Sequence, residues 1–243
     1  MEKSCTPKGL NIWLMEPDGT GAKQLTGDTA EGMGSSPRVS ADGRYIVFFS
    51  AHKDGEHIWR MDIDGNNVKQ LTTRPKAYSW GSLDCTPDGK WVFYVSADAP
   101  DSGLWKVPIE GGDPVRLDSK GFAVHPAISP DGKMLAYAGF STHSVTVMSL
   151  VGDTAEKHFD LPFDNMATRP LGWTPDSRSL LYIKSEDGVS NLWSQPISGE
   201  LPKQITHFNS DLIRSFDLSR DGKQLVMERG TTHGDVVLIH DVR

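Results

Sequence analysis

Ser40-Ala41-Asp42-Gly43-Arg44-Tyr45-Ile46-Val47-Phe48-Phe49-Ser50 decides the fold of this chain. A tight turn, Ser-x-Asp-Gly, leads into an aromatic and β-branched run of high strand propensity. The turn recurs as Thr86-Pro87-Asp88-Gly89, Ser129-Pro130-Asp131-Gly132, Thr174-Pro175-Asp176-Ser177 and Ser219-Arg220-Asp221-Gly222. Its aspartates stand 46, 43, 45 and 45 residues apart, a period that belongs to propellers, solenoids and arrays.

Working outward from that stretch gives one repeat, residues 36–73. Pro37-Arg38-Val39-Ser40 is a short strand before the turn, and Tyr45–Ser50 is the second. Ile58-Trp59-Arg60-Met61 is the third, and Val68-Lys69-Gln70-Leu71-Thr72 returns after Asp64-Gly65, a pair that tolerates the positive φ of a tight hairpin. Four antiparallel strands in about 45 residues make one propeller blade. Further complete units run about 80–118, 125–162 and 169–206, with partial units at 10–26 and 214–243. One second-strand column holds Phe48, Tyr94, Tyr137, Tyr182 and Met227; one third-strand column holds Trp13, Trp59, Trp105 and Trp193. No segment sustains a 3.6-residue apolar period, so little helix is expected. The prediction is an all-β single domain over 1–243, with five blades, six as the alternative, and the last blade closed by an N-terminal strand. Asn11–Met15 and Val236–Ile239 compete for one place in that blade.

The unit Ser-Pro-Asp-Gly-Lys, aromatic strand, Ile-Trp-x-Met-Asp, Asp-Gly, Gln-Leu-Thr resembles the WD-repeat-like repeat of the TolB family. The resemblance implies a periplasmic propeller that serves as a protein-docking platform. The closing segment, with Lys203-Gln204-Ile205-Thr206, Ser219-Arg220-Asp221-Gly222-Lys223 and Asp235-Val236-Val237-Leu238-Ile239, is similar to the C-terminal part of large bacterial sensor proteins. In those, such repeats follow a kinase or DNA-binding effector; neither occurs in these 243 residues.

Charge and composition narrow the partners. A net charge of −7 disfavours nucleic acid and anionic membrane surfaces, both of which demand a basic face. The longest strongly apolar run, Tyr45–Phe49, is far short of the roughly 20 residues of a membrane helix. The N-terminal Met-Glu-Lys-Ser-Cys-Thr-Pro-Lys reads as lacking the apolar core of a secretory leader. Two cysteines, Cys5 and Cys85, are too few for a disulfide framework.

Chemistry-bearing motifs are sparse. The turn aspartates read as turn formers that accept nearby backbone amides. Asp62-Ile63-Asp64-Gly65-Asn66-Asn67 lacks the glycine and glutamate spacing of a calcium loop and reads as a hairpin. The third-strand tryptophans read as packing between blades, and Trp80, in a connector, as the one placed for binding. The eight histidines show no metal-ligand spacing, and there is no Cys-x-x-Cys, no Gly-x-Ser-x-Gly elbow and no phosphate-binding loop. No cofactor and no metal are expected.

Positions that differ between copies are the candidates for a site, because shared scaffold and individual contacts are then separable. At the start of the first strands these are Ser36, Arg38, Ser82, Asp84, His125, Arg169, Arg214 and Asp217, placed at the mouth of the central channel. Arg169 and Arg214 together could hold a carboxylate. The expected partner is a protein or peptide, with a homodimer through an unpaired edge strand as another option. The alternative is a propeller lyase or hydrolase that uses His125, Asp84 and the channel arginines.

Overall fold

A computed structural model describes residues 11–27, 33–52, 55–74, 76–77, 82–98, 100–117, 123–139, 144–152, 156–162, 170–219 and 222–231. Every regular element within them is a strand.

The described residues open with a hairpin of β1 (Trp13–Leu14) and β2 (Lys23–Gln24). Four complete antiparallel blades follow, each with its strands in sequence order. They are β3 (Met33–Val39) to β6 (Lys69–Gln70) through β4 (Tyr45–His52) and β5 (Gly55–Asp62); β7 (Leu83–Cys85) to β10 (Val115–Arg116) through β8 (Trp91–Ser96) and β9 (Gly103–Pro108); β11 (Ala123–Ile128) to β14 (Glu156–Asp160) through β12 (Met134–Gly139) and β13 (Ser144–Ser149); and β15 (Leu171–Trp173) to β18 (Lys203–Gln204) through β16 (Ser179–Glu186) and β17 (Val189–Pro196). A second half-sheet, β19 (Leu212–Leu218) with β20 (Leu225–Gly230), comes last.

The turn motif folds through its own side chains. Ser40 Oγ donates to Asp42 Oδ1 at 2.6 Å, the Arg44 amide donates to the same oxygen, and Ser40 Oγ accepts the Tyr45 amide at 2.9 Å. Thr86–Asp88, Ser129–Asp131 and Thr174–Asp176 repeat this pattern at 2.6 Å. Gly43, with φ of 73°, occupies the left-handed corner that follows. The hydroxyl partner holds the Asp42, Asp88 and Asp176 carboxyls below their ordinary range, and the following amide adds to this.

Gln-Leu-Thr combines a local bond with one across strands. The amides of Gln24, Gln70 and Gln204 donate to the carbonyls of Thr26, Thr72 and Thr206. The threonine hydroxyls accept the backbone amides of Ile12, Ile58 and Leu192, extending the pairing of the third and fourth strands past the short ladder. The Asp62–Asn67 segment is a hairpin: Gly65 N donates to Asp62 O and Asp62 N to Asn66 O.

Blades pack face to face through their second strands. Tyr94 sits among Val47, Phe49 and Ile58 of the preceding blade, Tyr137 among Phe93, Val95 and Leu104, and Tyr182 among Ala136, Val145 and Val147. All three rings are almost fully buried. Trp105 and Trp193 pack against the clusters that join neighbouring blades, as the sequence suggests, but less deeply than the tyrosines. Trp59, Trp105 and Trp193 lie across from Phe48, Tyr94 and Tyr182 on the third strand, nearer the rim, and are half-buried. Trp13 is 53% exposed. They brace the cores from outside rather than forming them. Trp80 lies outside the described residues.

The first strands line the axis, with β3 against β7, β7 against β11, and β11 against β15. β19 returns to β3, because Arg38 on β3 bonds Asp217 on β19. Among the described residues five inner strands thus surround one channel, backed by four complete blades and two half-sheets. Lys23 on β2 donates to the Asp64 carbonyl of the next blade's hairpin, as Lys69 on β6 donates to that of Glu110. β1–β2 is therefore the outer half of the blade position before β3, and β19–β20 is the inner half. The closure expected from an N-terminal strand takes the form of juxtaposition: the two half-sheets flank one cleft and, among the described residues, share no ladder. Val236–Ile239 lies outside the described residues.

Candidate functional site

Four residues before each turn aspartate, one register position points at the axis. It holds Arg38, Asp84, Ala127, Gly172 and Asp217. The first, second and last of these meet. Arg38 donates through Nε and Nη2 to Asp84 Oδ1 at 3.2 and 2.9 Å, and through Nη1 to Asp217 Oδ2 at 2.6 Å. Asp84 accepts two backbone amides as well, from Cys85 at 3.0 Å and from Ile128 on the following blade at 2.8 Å. Asp217 accepts the Leu218 amide with its other oxygen. Burial works against the Arg38 charge, yet Asp84 and Asp217 outweigh it and raise the guanidinium pKa. The cluster joins one arginine to two aspartates.

Above it the channel opens toward the turns as a cavity of 770 Å³, within the range that holds small ligands or peptide side chains. Its walls are mostly apolar: Val39, Ile128, Trp173, Phe216 and Leu218, with Cys85, whose thiol burial pushes up. Trp173 Nε1 donates to the Ala127 carbonyl at 2.9 Å, fixing the indole against the third blade. Gly172 leaves room for the Phe216 ring, 3.1 Å from where a Cβ would stand. The rim is Ala41, Pro87, Pro130 and Pro175, the variable second residue of each turn.

The other candidates separate from this funnel. Ser82 and Ser36 line a second cavity, of 670 Å³, on the strand-start side, where Arg38 and Asp217 show their other face. His125 shares their left-handed backbone, with φ of 53° against 49° for Ser36 and 53° for Ser82; a non-glycine residue held there is uncommon. At 6% exposure its Nδ1 finds no hydrogen-bond partner among the described residues, and burial lowers its pKa to about 4. It lines neither cavity. Arg214 sits at the bulge of β19 with its side chain exposed, and Arg169 lies outside the described residues. A paired-arginine carboxylate clamp therefore has one described member. Among the described residues no three His, Cys, Asp or Glu side chains come together in a way that could hold a metal ion.

Sequence reasoning singled out Arg38, Asp84 and Asp217 because their register position varies between copies, without the contacts between them. It missed Trp173 and the proline rim. The prolines look like turn formers alone, and Trp173 stands outside the repeated tryptophan column; its one signal is a large aromatic where other units place Val39, Cys85, Ile128 and Leu218.

Antiparallel four-stranded sheets set around a channel of first strands define the β-propeller class. Residues 4–170 match the TolB beta propeller domain model, and the chain belongs to that family. Among solved structures, it is similar to TolB from Acinetobacter baumannii (TM-score 0.65, 19% identity, covering 78% of this chain and 46% of that one). A protein of Agrobacterium tumefaciens assigned as a TolB gives a TM-score of 0.70 at 19% identity, covering 90% of this chain and 77% of the other. A gluconolactonase from Xanthomonas campestris gives 0.68 at 17% identity, covering 91% and 76%. At such identities the likeness is one of fold. The chain spans about half the length of the Acinetobacter TolB, 46%. No curated protein matches it.

Proposed function

We propose that the chain is a non-enzymatic binding propeller that takes an apolar peptide segment of a protein partner into the funnel on the turn side. The observation that carries this reading is the combination of an apolar wall, Val39, Ile128, Trp173, Phe216 and Leu218, with a floor whose arginine is already engaged by two carboxylates. Apolar burial supplies affinity, and the two carboxylates at the floor suit a lysine or arginine following the apolar residues. The same floor disfavours an acidic ligand. Residence outside the cytoplasm, as a docking or sensory part of a larger bacterial protein, completes the proposal and rests on family membership.

The test is fluorescence anisotropy with labelled peptides of one length: apolar with a terminal lysine, the same with glutamate, and a polar scramble. The lysine peptide is expected to bind at least 10-fold more tightly than either, and Val39→Arg, which places a charged arm in the funnel, to abolish the difference. Equal binding of all three, or binding untouched by Val39→Arg, contradicts the proposal.

A further inference from the structure

The floor of the funnel is lopsided. Arg38, Asp84, Ala127, Gly172 and Asp217 meet it in blade order, one from each inner strand. Arg38 reaches Asp84 on one side and Asp217 on the other. On the far side of the ring Ala127 offers only a methyl group and Gly172 no side chain. The floor is thus built up toward the first blade and bare toward the third and fourth, where it runs between the two carboxylates.

Those carboxylates are not equivalent. Asp84 is 11% exposed, and it accepts two bonds from Arg38 and the amides of Cys85 and Ile128. Its charge is spent on holding blades together, and drawing it away from those donors costs more than a new ion pair returns. Asp217 is 54% exposed, and Arg38 reaches it with a single nitrogen. A ligand cation can replace the water around a half-exposed carboxylate without dismantling the scaffold. Asp217 also stands on β19 between Phe216 and Leu218, both part of the apolar wall. A long basic side chain needs that combination, apolar surface for its methylenes and an anion at the tip.

We propose that Asp217, and not Asp84, receives the basic side chain of the bound segment, which enters over Ala127 and Gly172 with its methylenes along Trp173 and Phe216. The inference rests on the binding function proposed above and adds which group reads the ligand's charge.

The test is a double-mutant cycle by fluorescence anisotropy, pairing the chain and its Asp217→Asn variant with the lysine peptide and the same peptide ending in norleucine. The ratio of lysine to norleucine affinity is expected to fall about 10-fold in Asp217→Asn, the worth of one charged hydrogen bond. Asp217→Lys, shown by thermal melting to be folded, is expected to bind the glutamate peptide more tightly than the lysine peptide. A ratio unchanged in Asp217→Asn, or a lysine preference kept in Asp217→Lys, overturns the assignment while leaving funnel binding intact, provided Val39→Arg still abolishes it. Peptides that ignore Val39→Arg, or that do not bind, overturn the binding function itself and this inference with it.

Discussion

Arg38 and Asp217, 179 positions apart in sequence, hold each other at 2.6 Å where the first and last inner strands meet. The same guanidinium grips Asp84 on the second blade, whose carboxylate in turn accepts an amide of the third. One arginine thus ties the last inner strand to three consecutive blades at the axis.

The two carboxylates should respond unequally to losing that arginine. Arg38→Met strands Asp84, 11% exposed, without its cation and is expected to cost about 3–5 kcal/mol. Asp217→Asn removes a partner that is 54% exposed and should cost at most about 1 kcal/mol. Urea unfolding of both variants checks the ratio; similar losses would contradict the assigned roles.

Tryptophan truncation should rank by position rather than by residue type. Trp173→Ala empties a buried site and loses the bond to Ala127, at a cost of about 3–5 kcal/mol. Trp193→Ala, half-buried beneath Lys184, should cost roughly 1–2 kcal/mol. Thermal melts of the two variants measure the difference.

Acid stability should carry a signature of His125. Burial lowers its pKa from 6.5 to about 4 in the folded chain, so between those values the unfolded chain binds a proton that the folded chain refuses. Stability therefore falls as pH drops through that window, by at most about 3 kcal/mol. His125→Gln should flatten the profile there and leave the further loss below 3.8, where the turn aspartates take up protons. Melts of both proteins between pH 4 and 7 test this; parallel profiles would contradict it.

The turn aspartates should matter for stability and not for ligand. Asp88→Ala removes the bonds from Thr86 and Lys90 at an exposed corner, for about 1 kcal/mol and a melting point about 2–4 °C lower. The lysine-peptide affinity is expected to stay unchanged, and anisotropy on the variant checks it.

How much was legible follows from the range of the interactions. The turn could be read because its bonds span two to five residues, as from Ser40 to Asp42, and the Gln-Leu-Thr return because its glutamine bonds the threonine two residues on, as from Gln70 to Thr72. Arg38, Asp84 and Asp217 could be singled out because one register position holds four residue types across the five copies, Arg, Asp, Ala and Gly. Their mutual pairing could not, since it joins strands 46 and 179 residues apart and depends on how the ring closes. The proline rim was hidden for the same reason. A residue that makes a turn locally also faces the axis once several blades converge, and that second role exists only in three dimensions.

Photo-crosslinking tests the binding account most directly, with the lysine peptide carrying a benzophenone at its central apolar position. Adducts mapped to Ile128, Pro130, Trp173 or Phe216, and lost in Val39→Arg, are the predicted result. Adducts on β20, on the outer strands, or unaffected by that substitution would contradict it.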